Sequence, residues 1–167
     1  MAGSLFARTN PAVGESWSFS VSDLSDIRRL QALFVQRMDD HNIDGLVALF
    51  TPDGQVENPD GVYKGQAKIR EWLQDSFAKQ PQGRMEQHQI ANPVLDIDKP
   101  GQSGHGRSDI FCFRSLETTP WELEVVFRHH DKFAKINGEW HFSEKAIEIR
   151  GGFKRGAATV TNTVSID

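Results

Sequence analysis

Apolar residues recur at helical spacing over the first half of the chain and alternate over the second, and this change of period divides the molecule. From Ser22, read as an N-cap, Leu24, Ile27, Leu30, Phe34 and Met38 follow one another at three- and four-residue intervals and form one helical stripe. A short second helix is expected from Ile43 to Phe50, with Leu46, Val47 and Phe50 inward and "TPDG" as its stop. After a strand-and-turn segment, "QVENPDGVYKG", Ile69, Leu73 and Phe77 at spacing four predict a third helix. Beyond "KQPQG" the period falls to two, and strands are predicted at 84–97, 104–115, 120–136 and 139–150. In the third of these, Trp121, Leu123, Val125 and Phe127 share a face that continues through His129, Asp131 and Phe133. Glu122, Glu124, Arg128, His130 and Lys132 take the other face. "INGEW" supplies a hairpin, with Asn137 and Gly138 suited to a type I′ turn.

Helices followed by an antiparallel meander make an α+β fold, a curved, mostly antiparallel sheet wrapped around about three N-terminal helices. Residues 1–20 read as a loose arm and 21–150 as one domain. The tail, 151–167, is expected either to stay loose or to fold over a pocket mouth with Phe153 as a plug.

Composition then narrows the function. A chain of 167 residues, 38% hydrophobic and 25% charged, has room for one ordinary globular core. A net charge of −4 without a basic stripe argues against nucleic acid. No run approaches the roughly 18 apolar residues of a membrane span, and no signal-peptide pattern opens the chain, so a cytoplasmic location is expected. The single cysteine, Cys112 in "DIFCF", reads as a small buried thiol in a reducing compartment.

Four places carry chemistry. Asp39 and Asp40 close the first helix, where the macrodipole disfavours negative charge by up to about 1 kcal/mol. A carboxylate kept there is either solvated or partnered. His88 in "MEQHQIANP" shares a strand face with Ile90, and histidine exchanges protons readily near neutral pH. Arg107 and Asp109 share a face with Phe111 and Phe113, so they are either a structural ion pair or the mouth of a cavity. His129 and Asp131 lie on the apolar face of the long strand, while His130 points the other way, which weakens a metal reading of "HHD". No HExxH, CxxC, GxSxG or phosphate-binding glycine loop occurs. The chemistry left is general acid and base work by Asp, His and Arg, with no metal and no cofactor.

The order "DLSDIRRLQALFVQRMDDHNIDGLVALFTPDGQVENPDGVYKGQAKIREWL", "QHQIANPVLDID" and "HDKFAKINGEWHFSEKAI" resembles the SnoaL-like branch of the nuclear transport factor 2-like superfamily. The resemblance implies a cone with one deep pocket. Residue by residue, Asp39 and His88 are similar to the pocket dyad of scytalone dehydratase-like members, with Asp39 facing in and Asp40 out. His129 takes the place of a polar or tyrosyl pocket residue, and Asp131 that of the acid two positions later. Arg107 and Asp109 resemble the Arg-x-Asp pair of limonene epoxide hydrolase-like members, and Asn58 their water-binding asparagine. Tyr63, the one tyrosine, stands with the expected substrate-binding residues. Met38 replaces the tyrosine before the dyad aspartate, Val56 stands at the epoxide hydrolase tyrosine, and the second aspartate of that pattern falls near Lys145.

The expected function is a cofactor-independent dehydratase, isomerase or cyclase acting on a small, largely apolar, polycyclic or secondary-metabolite substrate through Asp39 and His88. His129 or Arg107 would stabilise the developing oxyanion. One alternative is water addition to an epoxide, and another is a non-catalytic module for ligand binding or dimerisation. The resemblance also implies a homodimer through the outer sheet face.

Overall fold

Leu24, Ile27, Leu30, Phe34 and Met38 lie on one stripe of helix α1 (Val21–Asp39), with Ile27, Leu30 and Phe34 buried and the two end residues half-buried. The structure is a computed structural model that describes residues 21–116 and 119–152. The expected arm and tail, including Phe153, fall outside the described residues. Ser22 sits within the first turn of α1 instead of ahead of it.

Near its start, α1 is pinned to the sheet by a buried acid. Asp23 accepts hydrogen bonds from Lys135 Nζ at 2.8 Å, Trp140 Nε1 at 3.0 Å and the Gly101 backbone N–H at 3.1 Å. At its other end α1 stops in a Schellman turn: His41 takes the left-handed conformation at φ 52°, its N–H bonds the Met38 carbonyl, and the Asn42 N–H bonds that of Arg37. Asn42 then caps helix α2 (Ile43–Val47), its side chain accepting from Gly45 N at 2.8 Å.

The second helix is shorter than expected, because strand pairing takes over at Phe50. "TPDG" is not a helix stop but part of strand β1 (Phe50–Asn58), which runs parallel to the last strand. The register shifts between Phe50 and Gln55, and at Gly54 a Cβ would sit 3.0 Å from the Thr51 carbonyl and 3.2 Å from that of Phe142. Only glycine fits this bend without displacing backbone. A tight turn leads into β2 (Gly61–Lys64), and helix α3 (Gln66–Ala78) buries Ile69 and Leu73 fully.

The meander is β3 (Arg84–Lys99), β4 (Ser103–Leu116), β5 (Glu122–Ile136) and β6 (Glu139–Gly152). Together the strands form one six-stranded mixed sheet in the order β2-β1-β6-β5-β4-β3, antiparallel except for β1 against β6. Asn137 and Gly138 turn β5 into β6 with φ of 52° and 86°, as a type I′ turn requires. The curved sheet packs its concave face on the three helices around Phe34, Phe50, Phe133 and Phe142. Among the described residues no helix is long and apolar enough to cross a membrane.

Bonds from Lys135 first, then from Trp140 and Gly101, hold the Asp23 carboxyl below its ordinary 3.8 against the opposing effect of burial. A group depressed in the folded state stabilises fully above its unfolded pKa and loses that contribution as pH falls through the folded value. Asp23→Ala should therefore cost about 2–3 kcal/mol near neutral pH, read by urea denaturation, and progressively less as acid protonates the carboxyl.

Candidate active site

The Schellman turn leaves Asp39 in the last turn of α1, facing the open edge of the sheet. That edge is β3, whose outward N–H groups lack a strand neighbour. Asp39 covers one of them: the His88 backbone N–H reaches its two oxygens at 3.1 and 3.2 Å. The same carboxylate bonds the side chain, with Oδ1 2.6 Å from His88 Nδ1. Backbone and imidazole are thus held by one acid, which sets both the position of the ring and its rotation. Asp40, the next residue, is exposed.

Burial alone would push the His88 imidazole toward its neutral form. The hydrogen bond that the ring donates to Asp39, followed by that with Cys112, overrides this and raises its pKa to about 10. At neutral pH the pair is an imidazolium against a carboxylate.

His88 opens onto a cavity of about 280 Å³, at the small end of ligand pockets. Phe34, Val35 and Met38 of α1, Trp72 and Ser76 of α3, and the Asn58–Asp60 turn make one side. Arg84, Glu86, His88, Cys112, Glu124, Val125, Phe127, His129, Ile147 and Ile149 of the sheet make the other. His129 is 5% exposed. Burial in the first place, and then the Lys145 ammonium, lower its pKa well below 6.5, so it is neutral.

The wall behind His129 is a buried polar row. Lys145 Nζ lies 3.3 Å from His129 Nδ1 and 2.6 Å from Asp131 Oδ1, and Gln31 Nε2 donates to Asp131 Oδ2 at 3.0 Å. Near the other end of the cavity Arg84 bonds both Glu86 and Glu124, and Arg114 bonds Glu124 at 2.8 Å. Glu86, Cys112 and Glu124 bring three ligand atoms within 4.8 Å of one another. The guanidinium of Arg84 already serves both carboxylates, so their charge is compensated without a cation.

The structure brings His88 and His129 to one cavity, with Asp39 bonded to His88 but outside the lining, and sends several other expected site residues elsewhere. Arg107 and Asp109 are on the opposite face of β4, where Asp109 pairs with Arg128 at 2.7 Å. Ser108, Ile110 and Cys112 are the buried positions of that strand, so the two phenylalanines beside Arg107 and Asp109 mark the outer face. Asp131 is buried under His129 and does not line the cavity. Asn58 is at the cavity, but its Oδ1 is engaged by the turn, accepting from Asp60 N at 2.9 Å and Gly61 N at 3.2 Å. Tyr63 supports the lining from behind, stacked on Trp72 with ring centroids 5.7 Å apart.

Glu124 corrects the expected alternation. The register shift between Cys112 and Phe113 inserts an extra residue in β5, and Glu124 turns to the cavity. A second shift, between Lys132 and Phe133, does the same for β6 and brings Lys145 inward to meet Asp131. Sequence reasoning missed Lys145, Gln31 and the carboxylate–arginine group, and left Cys112 out of the site although it pairs directly with His88 across β3 and β4. For Gln31 a signal existed, its place beside Leu30 and Phe34 on the buried stripe.

A family model for the SnoaL-like domain matches residues 20–146. The chain belongs to this family. ActVI-ORFA from Streptomyces coelicolor superposes with a TM-score of 0.70 at 18% identity, over 78% of this chain and 98% of that one. A protein from Novosphingobium aromaticivorans DSM 12444 to which scytalone dehydratase activity is ascribed gives 0.67 at 17% identity, over 83% and 97%. An NTF2-like protein with a cystatin-like fold, from N. aromaticivorans, gives 0.67 at 19%, over 83% and 86%. No curated protein matches the sequence. The SnoaL-like match and these superpositions establish the cone architecture.

The Asp39 bond is the largest of the contacts that hold His88 protonated, so Asp39→Asn, which leaves only Cys112 to oppose burial, should make the ring titrate well below the native value of about 10 when followed by NMR.

Proposed function

We propose that this SnoaL-like protein is a cofactor-independent acid–base enzyme of dehydratase, isomerase or cyclase type, acting on a small, largely apolar ring compound. The observation that carries the reading is the 2.6 Å contact between Asp39 and a His88 imidazolium at the wall of a mostly apolar cavity. A resting imidazolium is an acid first. In a dehydration, His88 would give its Nε2 proton to a hydroxyl, which leaves as water. The neutral ring, still held by Asp39, would then take the proton from the neighbouring carbon as the double bond forms. The histidine ends as it began, and Asp39 stabilises the charged form throughout. Isomerisation or ring closure uses the same two transfers without loss of water. The scytalone dehydratase activity ascribed to one structural neighbour agrees with the first of these outcomes.

Water addition to an epoxide needs Asp109, Asn58 and Arg107 around one oxygen, and Asp109 instead faces Arg128 on the other side of the sheet. A homodimer through that outer side is part of the proposal, supported by Phe111, Phe113 and Val126, which are only half-buried in the single chain.

The test is turnover on a panel of hydroxylated polycyclic ketones, followed by mass spectrometry for loss of water or rearrangement. Asp39→Asn and His88→Ala should each lower the rate by about 10²–10⁴-fold. If the native protein binds members of the panel and returns them all unchanged, the binding-module reading replaces this one.

A further inference from the structure

We propose that His129 forms a subsite for an acceptor oxygen, a ketone carbonyl or the oxyanion of an enolate or phenolate, and that Lys145 is the positioning residue that fixes His129 as its Nε2–H tautomer.

Lys145 is 1% exposed and wholly enclosed. Its Nζ sits over the Phe34 and Phe142 rings, 4.4 and 4.1 Å from their centroids, so its polar partners are few. The first is Asp131, at 2.6 Å; the second is His129 Nδ1, at 3.3 Å. Burial lowers the Lys145 pKa, and the charge and hydrogen bond of Asp131 at 2.6 Å oppose this; as the ammonium that Asp131 pairs with, Lys145 has donors and no acceptor, so it donates to His129 and Nδ1 accepts. A neutral imidazole that accepts at Nδ1 carries its hydrogen on Nε2. A doubly protonated ring would set an N–H against the ammonium, which its burial and the charge of Lys145 both oppose.

The row is directional. Gln31 donates to Asp131 Oδ2 at 3.0 Å, Asp131 accepts from Lys145 through its other oxygen, and Lys145 donates to His129. Asp131 and Lys145 face each other across β5 and β6, so the pair is set by strand register and not by a mobile loop. The last donor in the row, Nε2–H of His129, has no partner among the described residues, while the residue lines the cavity and is more than nine-tenths buried. Nε2 is not among the enclosed polar atoms without a partner, so it reaches the open space of the cavity, where an oxygen of the ligand can accept its hydrogen.

This subsite deepens the acid–base reading by naming a substrate class, and rests on that reading only for the oxygen at His88. His88 and His129 each present a donor to one cavity, with Phe34, Val125, Phe127 and Ile147 between and around them. The matching molecule carries two oxygens on an apolar ring frame: a hydroxyl to be protonated at His88 and a carbonyl or phenolic oxygen at His129. As a C–H proton leaves, negative charge on that second oxygen would be met by a donor already aligned.

The experiment is NMR of the full chain labelled with 15N in its histidines, near neutral pH, with the His129 signals assigned by their loss in His129→Gln. The native protein should show a protonated Nε2 and an unprotonated Nδ1 at His129. A hydrogen on Nδ1, or on both nitrogens, overturns the proposal without recourse to any variant. Adding 2-naphthol should move the His129 Nε2–H signal and 2-methylnaphthalene should not; equal effects of the two, or none from 2-naphthol, contradict the oxygen subsite. In the charge-neutral double variant Lys145→Met/Asp131→Asn, His129 should become a mixture of tautomers and 2-naphthol should bind about tenfold more weakly. A folded double variant with the native tautomer would make Lys145 a packing residue only. His88→Ala should keep both the tautomer and the 2-naphthol response, so failure of the acid–base reading and failure of this subsite are separable.

Discussion

One carboxylate holds the site together. Asp39 closes α1, where the helix dipole disfavours its charge, and three contacts to His88 compensate: two from the backbone N–H of an edge strand and one from the imidazole. The bond joins the helical layer to the free edge of the sheet, covers a donor that would otherwise face solvent, and converts a half-buried histidine into a cation. Packing and chemistry therefore depend on the same atoms. Without the acid, burial would favour the neutral ring against Cys112 alone, and the edge of β3 would lose the contact that positions it over the cavity.

Two histidines in one cavity then take opposite states for stated reasons. His88 is charged because a carboxylate faces it, and His129 is neutral because it is buried, with the Lys145 ammonium adding to the effect. Environments that drive two titratable groups apart are how a single cavity separates the roles of acid and hydrogen-bond partner. The buried charges are all compensated close at hand: Asp131 by Lys145, Glu86 and Glu124 by Arg84 and Arg114, Asp23 by Lys135. What remains open to a ligand is an apolar space with a few polar groups of fixed orientation.

Periodicity made the architecture legible. The change from helical to alternating spacing located three helices and the four long strands to within about two residues, apart from the end of α2. That helix was overextended because Phe50 suits both a helix stripe and a buried strand, and pairing with Phe142 decided between them. The dyad was legible only through family resemblance, since spacing cannot bring residues 39 and 88 together. Alternation failed at bulges. Glu124 is itself the extra residue of one bulge and Lys145 lies just past the extra residue of another, and one extra residue exchanges the faces of everything beyond it. Arg107 and Asp109 were misplaced for a related reason: two phenylalanines on their face looked like core, whereas the buried face of β4 carries the smaller Ser108, Ile110 and Cys112.

The central claim is that the Asp39–His88 imidazolium is the group that meets the reacting oxygen of a small apolar ligand. The most direct measurement is a crystal structure of the protein soaked with a mixed panel of polycyclic ketones, hydroxy acids and terpenoid epoxides. The account predicts ligand density in the cavity, with an oxygen in hydrogen-bond reach of His88 Nε2 and Asp39 still bonded to Nδ1. Ligand density seated away from His88, or a cavity filled by the protein's own chain in every crystal, would contradict it.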